Sequence, residues 1–109
     1  KKVRDPKRYG VATLSKKGSI KSIEEKKKKK KSNFVVAGLY IYDNSVFDKL
    51  VGQPKSARGE YEITYINNLY IQEGTLHSHI LKKEWFDIGT IESLHHASVF
   101  MKKNIHNTR

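Results

Sequence analysis

The chain has 109 residues, 37% of them hydrophobic and 30% charged, enough for one small domain with a modest core. It has no cysteine, which excludes disulfide scaffolding and thiolate chemistry, and no apolar run long enough to span a bilayer. The net charge of +11 raises a polyanionic partner, but six of the lysines form one run, Lys26 to Lys31, so much of that charge belongs to a single segment.

In chain order, residues 9–14 (YGVATL) read as a strand, followed by the turn Ser15-Lys-Lys-Gly18, in which Gly18 is free to take positive φ. Residues 19–26 return as a second strand. The lysine run with Ser32 and Asn33 makes the next connection, extended and solvated because like charges repel. Residues 34–42 (FVVAGLYIY) are the most apolar segment, short, β-branched and aromatic, and predict a central strand covered on both faces.

Asp43, Asn44 and Ser45 are suited to cap a short helix carrying Val46, Phe47, Leu50 and Val51. Residues 53–59 are a loop marked by Pro54 and Gly59. From Glu60 the apolar positions Ile63, Ile66, Leu69, Tyr70 and Ile71 predict a helix that stops at Gly74. Residues 76–81 alternate like a strand, and Thr90 caps a last helix with Leu94, Ala97, Val99 and Met101 along it. Strands followed by helices in this order predict an α/β layer. No strand-loop-helix unit precedes residue 7 and no glycine-rich phosphate loop occurs, so the segment reads as the second half of a domain.

Five stretches taken together carry a family resemblance: RDPKRYGVA (4–12), IEEK (23–26), SNFVVAGLYIYD (32–43), SARGEYEIT (56–64) and WFDIGTIESLHHAS (85–98). In this order and spacing the chain resembles the glucose-1-phosphate thymidylyltransferases, over nearly its whole length and only their C-terminal part. The resemblance implies a partial nucleotidyltransferase (Rossmann-like) α/β fold, a mixed sheet with flanking helices, lacking the N-terminal nucleotide-binding half. It implies a reaction in which a sugar 1-phosphate attacks the α-phosphorus of dTTP and releases pyrophosphate, where positioning and electrostatics supply most of the catalysis.

Residue by residue, the resemblance implies that the Gly10 backbone approaches the sugar ring and that Glu25 hydrogen-bonds sugar hydroxyls. Lys26 would neutralise the sugar phosphate, Val36 and Tyr40 would line the sugar pocket, and Arg58 would grip phosphate with its planar fork. Lys26 and Arg58 are thus the implied catalytic residues. Asp87 would bind Mg²⁺ together with an aspartate of the absent half. Departures from the family pattern are Lys27 where a proline usually follows the lysine, Ile88 after the metal aspartate, and Tyr65 in the EIT helix. The implied partners are a sugar 1-phosphate, a separate N-terminal nucleotide-binding chain and further copies in a homo-oligomer. The expected setting is the cytoplasm, away from membranes.

Taken singly, the same residues have plainer explanations: a strand-end ion pair for Glu25 and Lys26, a solvated loop arginine at 58, a capping aspartate at 87. His77 with His79, and His95 with His96, lack further ligands for a metal and read as solvated. The alternative function is a non-catalytic module that binds a polyanion through the Lys26 to Lys31 loop. Such a loop captures phosphate backbones without sequence preference, and the run lacks the interleaved aromatics of a dedicated single-strand binder, so nucleic acid is expected only as a non-specific partner.

Overall fold

A hairpin opens the fold: β1 (Gly10–Leu14) and β2 (Ile20–Glu25) pair antiparallel, in a computed structural model that describes residues 1–25 and 32–105. Between them Ser15 and Ser19 close the turn, and Gly18 takes φ +87°, as its position predicts. A third strand, β3 (Phe34–Val35), joins the other side of β1, giving the order β2-β1-β3. Three helices follow: α1 (Ser45–Leu50), α2 (Ile63–Gln72) and α3 (Ile91–Asn104). The α/β class holds. Both ladders among the described residues are antiparallel, because β1 and β2 are joined by a tight turn and β3 returns beside β1.

The core forms where α2 lies against the sheet. Ala12, Ile23 and Val35 from the strands and Ile66 and Tyr70 from α2 are its buried apolar residues, and Ile66 is fully enclosed. Thr64 and Asn67 are buried beside them. The helix begins at Ile63 rather than Glu60, because residues 56–60 close a turn of their own through Gly59 N–H to Ser56 and Ser56 N–H to Glu60. It stops where Gly74 takes φ +72°, with the N–H groups of Thr75 and Leu76 both returning to the Tyr70 carbonyl at 3.0 and 3.1 Å.

One side chain fixes α2 to the sheet edge. The Asn68 amide accepts from Ile23 N–H at 3.0 Å and donates to Ile23 C=O at 2.9 Å, meeting both backbone groups that a further strand would have met. At the other end of the chain, Thr90 and Ser93 form a reciprocal capping box at the start of α3, as predicted. At α1 the N-cap residue Asn44 makes no side-chain capping bond; instead Asp43, one residue earlier, accepts from both the N–H and the hydroxyl of Ser45. No residue of α1 or α3 is buried.

Two strand expectations fail. Residues 34–42 enter the ladder only at Phe34 and Val35, and Leu39 and Ile41 are 81% and 93% exposed rather than covered on both faces. The reason is that β1 ends at Gly10: its carbonyl accepts Val36 N–H at 3.0 Å, and beyond it no strand among the described residues lies alongside. Residues 76–81 likewise join no ladder. Among the described residues no helix is long and apolar enough to cross a membrane.

Candidate functional site

Gly10 and Glu25 are register partners at the open end of the β1–β2 hairpin. Alternation puts Glu25 on the same side as the buried Ile23, two residues earlier, so its carboxylate leans back over Gly10. A methyl group on Gly10 would meet Glu25 Oε1 at 3.0 Å and the Ile23 side chain at 3.6 Å. Only glycine leaves the carboxylate where it is. The Thr64 hydroxyl, buried in the first turn of α2, donates to the same Oε1 and fixes it from the other side.

The third wall comes from residues after β3. Val36 N–H donates to the Gly10 carbonyl, and the Trp85 indole N–H donates to the Ala37 carbonyl at 3.2 Å. Tyr40 stands close enough to Glu25 that its hydroxyl pKa is raised, first by burial and then by that negative charge. It stacks on Tyr42 at 6.0 Å, and Tyr42 stacks on Tyr70 at 5.5 Å. The Tyr42 hydroxyl donates to Asn67 Oδ1 at 2.6 Å, and burial, then Tyr40 and Tyr70, push its pKa up to about 12. This column ties the 36–42 segment to α2.

Asp87 approaches from a third direction. Tyr9, the neighbour of Gly10, packs edge-on against Trp85 at 5.6 Å, and its hydroxyl lies within the field of the Asp87 carboxylate. Burial, then the Asp87 charge, raise the Tyr9 pKa. Asp87 Oδ1 also accepts Gly89 N–H at 3.3 Å. Arg58 lies in the loop before α2, with its guanidinium on Glu60 and, at 3.1 Å, on Glu62. No hydrogen bond or ion pair among the described residues joins it to Glu25. Lys26 lies outside the described residues, as does the rest of the lysine run.

The structure therefore gathers Gly10, Glu25, Val36 and Tyr40, reaches Asp87 through Tyr9 and Trp85, and leaves Arg58 on carboxylates of its own loop. Sequence reading missed Thr64, Tyr9 and Asn68. Thr64 had one usable signal, a hydroxyl one residue into an otherwise apolar helix start; the other two had none. Among the described residues no group of three or more metal-ligating side chains converges.

Hairpin, overlying helix and a polar strand-end cluster are the features by which this chain can be compared with known proteins. It belongs to the nucleotidyl transferase family, which it matches over residues 1–104. Among its relatives is the glucose-1-phosphate thymidylyltransferase of Mycolicibacterium smegmatis, 45% identical over 102 residues that make up 92% of this chain and 35% of the relative. The enzyme of the same name from Xanthomonas campestris is 43% identical over 92% of this chain. A Bacillus anthracis protein described as a glucose-1-phosphate thymidylyltransferase, solved with sucrose, superposes with a TM-score of 0.81 at 43% identity, over 91% of this chain and 40% of its own. The chain thus spans about a third of the length of the curated relatives it matches.

Proposed function

We propose that this chain is the sugar-1-phosphate-binding part of a glucose-1-phosphate thymidylyltransferase-type enzyme, and that it does not complete the reaction of dTTP with glucose 1-phosphate alone. The observation that carries this reading is the cleft end where Gly10, Glu25 and Tyr40 meet. An ionised acceptor held beside bare backbone and an aromatic wall is suited to a polyhydroxylated ring, whose hydroxyls donate and whose face is apolar.

In this reading Glu25 accepts from sugar hydroxyls, Gly10 lets the ring approach its backbone, and Val36 and Tyr40 form the wall. Lys26 and Arg58 bear the phosphate charge; Arg58 would leave Glu60 or Glu62 to do so. Asp87 would hold Mg²⁺, which when bound offsets phosphate charge, with its other carboxylate supplied from outside these 109 residues. The nucleotide is bound by that other part, on this or a separate polypeptide, in a cytoplasmic homo-oligomer.

An amide NMR titration with glucose 1-phosphate and Mg²⁺ in moderate salt tests the site. Saturable shifts at Gly10, Glu25, Tyr40, Arg58 and Asp87 are expected. Shifts confined to Lys27 to Lys31, or none in a well-dispersed spectrum, would refute the assignment and leave phosphate capture by the lysine run. Gly10→Ala provides a finer check. Its methyl displaces the Glu25 carboxylate, so the fold should persist while affinity for glucose 1-phosphate falls about tenfold, the loss of one well-aligned hydrogen bond. Isothermal titration would read the change.

A further inference from the structure

We infer that Asn68 is a positioning residue for the proposed sugar pocket: through its two bonds to Ile23 it sets where the Glu25 carboxylate stands, and so how well a hydroxylated ring is told from phosphate alone. The inference deepens the sugar-1-phosphate reading and rests on it.

Thr64 and Asn68 stand one turn apart on the same face of α2, and both reach β2. Asn68 takes the backbone of Ile23, accepting its N–H at 3.0 Å and donating to its carbonyl at 2.9 Å, while Thr64 takes the side chain of Glu25. Four helical residues rise about 6 Å and two strand residues about 6.6 Å, so the two contacts match in pitch, with the helix antiparallel to the strand. A planar amide bonded through both its oxygen and its nitrogen to one residue fixes the strand along its length as well as in distance. The space beside it has little slack, because a Cβ on Gly10 would lie 3.0 Å from Glu25 Oε1.

The hairpin does not need Asn68 for its own pairing. Ile23 lies opposite Ala12 in the β1–β2 ladder, and the groups that Asn68 meets are those that face away from β1. Asn68 is half-buried, so water reaches the same groups when the amide is removed, and the ladder persists. What water does not do is hold the strand at one place along the helix. The apolar contact of α2 with the sheet, where Ile66 and Ile23 are buried, is non-directional and tolerates a slide. Direction comes from the polar row of α2. Beside Asn68 in that row, Asn67 accepts from Tyr42, the stacking partner of Tyr40. One helix thus holds both the carboxylate and the aromatic wall of the pocket.

A double-mutant cycle tests this, read by isothermal titration with glucose 1-phosphate in moderate salt. Asn68→Ala should weaken binding about tenfold in the parent, since a displacement of about 1 Å at a site can cost up to about a hundredfold. In the Glu25→Gln background, where the charged acceptor it places is already gone, the loss should be at most threefold. Affinity for inorganic phosphate should stay within twofold of the parent. Equal losses in the two backgrounds, an equal loss for inorganic phosphate, or a loss below threefold in the parent each overturn the assignment and leave the sugar site standing. A parent that does not bind glucose 1-phosphate overturns the sugar site itself, and this assignment with it. Hydrogen exchange without ligand separates position from folding: Asn68→Ala should speed the Ile23 amide at least tenfold and leave the other amides of β1 and β2 at parent rates. Acceleration throughout the hairpin, or a variant that does not fold, would mean that Asn68 holds the fold rather than the site, and overturns the proposal.

Discussion

Glu25→Gln is expected to weaken glucose 1-phosphate binding about a hundredfold while leaving the fold intact. The substitution keeps shape and keeps an oxygen for Thr64 to donate to, so α2 retains its tie to the strand end. What it removes is the ionised acceptor. Hydrogen bonds to charged groups contribute about 1.5–3 kcal/mol each, against about 1 for neutral pairs, and two sugar hydroxyls on one carboxylate bring the difference to about 3 kcal/mol. Isothermal titration on both proteins reads the affinity, and urea unfolding monitors stability. Binding within threefold of the parent would mean that Glu25 only anchors α2 through Thr64, and the sugar site would then have to be placed elsewhere.

The largest effect on stability is expected from Ile66→Ala. Ile66 is wholly enclosed between α2 and the sheet, where Ala12, Ile23, Val35 and Tyr70 are the other buried apolar residues. Removing three carbons there loses transfer free energy and leaves a cavity, at a cost of about 2–5 kcal/mol. Small domains have in total only about 5–15 kcal/mol, and this one leaves many of its large apolar residues exposed. A large fraction of the chain should therefore be unfolded at 37 °C, seen as collapsed amide dispersion and a urea midpoint near zero. Phe47→Ala is the contrast: at 67% exposure on α1 it should stay within about 0.5 kcal/mol of the parent. Equal effects would mean that the core lies elsewhere.

The candidate site is legible through the family resemblance, not through the residues taken singly; the structure shows only where those residues lie. Gly10, Glu25, Val36 and Tyr40 come together at one strand end, and the path to Asp87 runs through Tyr9 and Trp85. Arg58 marks the limit of reading by residue type. Its guanidinium suits phosphate, but which anion its fork faces depends on loop geometry, and here the nearest are Glu60 and Glu62. Thr64 is the converse, an unremarked hydroxyl given a role by a partner 39 residues away.

Features with local causes follow from the order of residues. The hairpin turn at Ser15 to Gly18, the stop of α2 at Gly74 and the cap of α3 at Thr90 each depend on a few adjacent residues and their preferred φ, ψ and side-chain bonds. That the most apolar stretch pairs over two residues and then runs bare is instead a matter of packing in three dimensions. Strand propensity describes a segment, whereas a ladder needs a second backbone at about 4.7–4.9 Å. Past Gly10 the described residues provide none. The same holds for the Asn68 clamp on Ile23, made across 45 residues of chain: the residue types permit it, and the packing of α2 on the sheet brings it about.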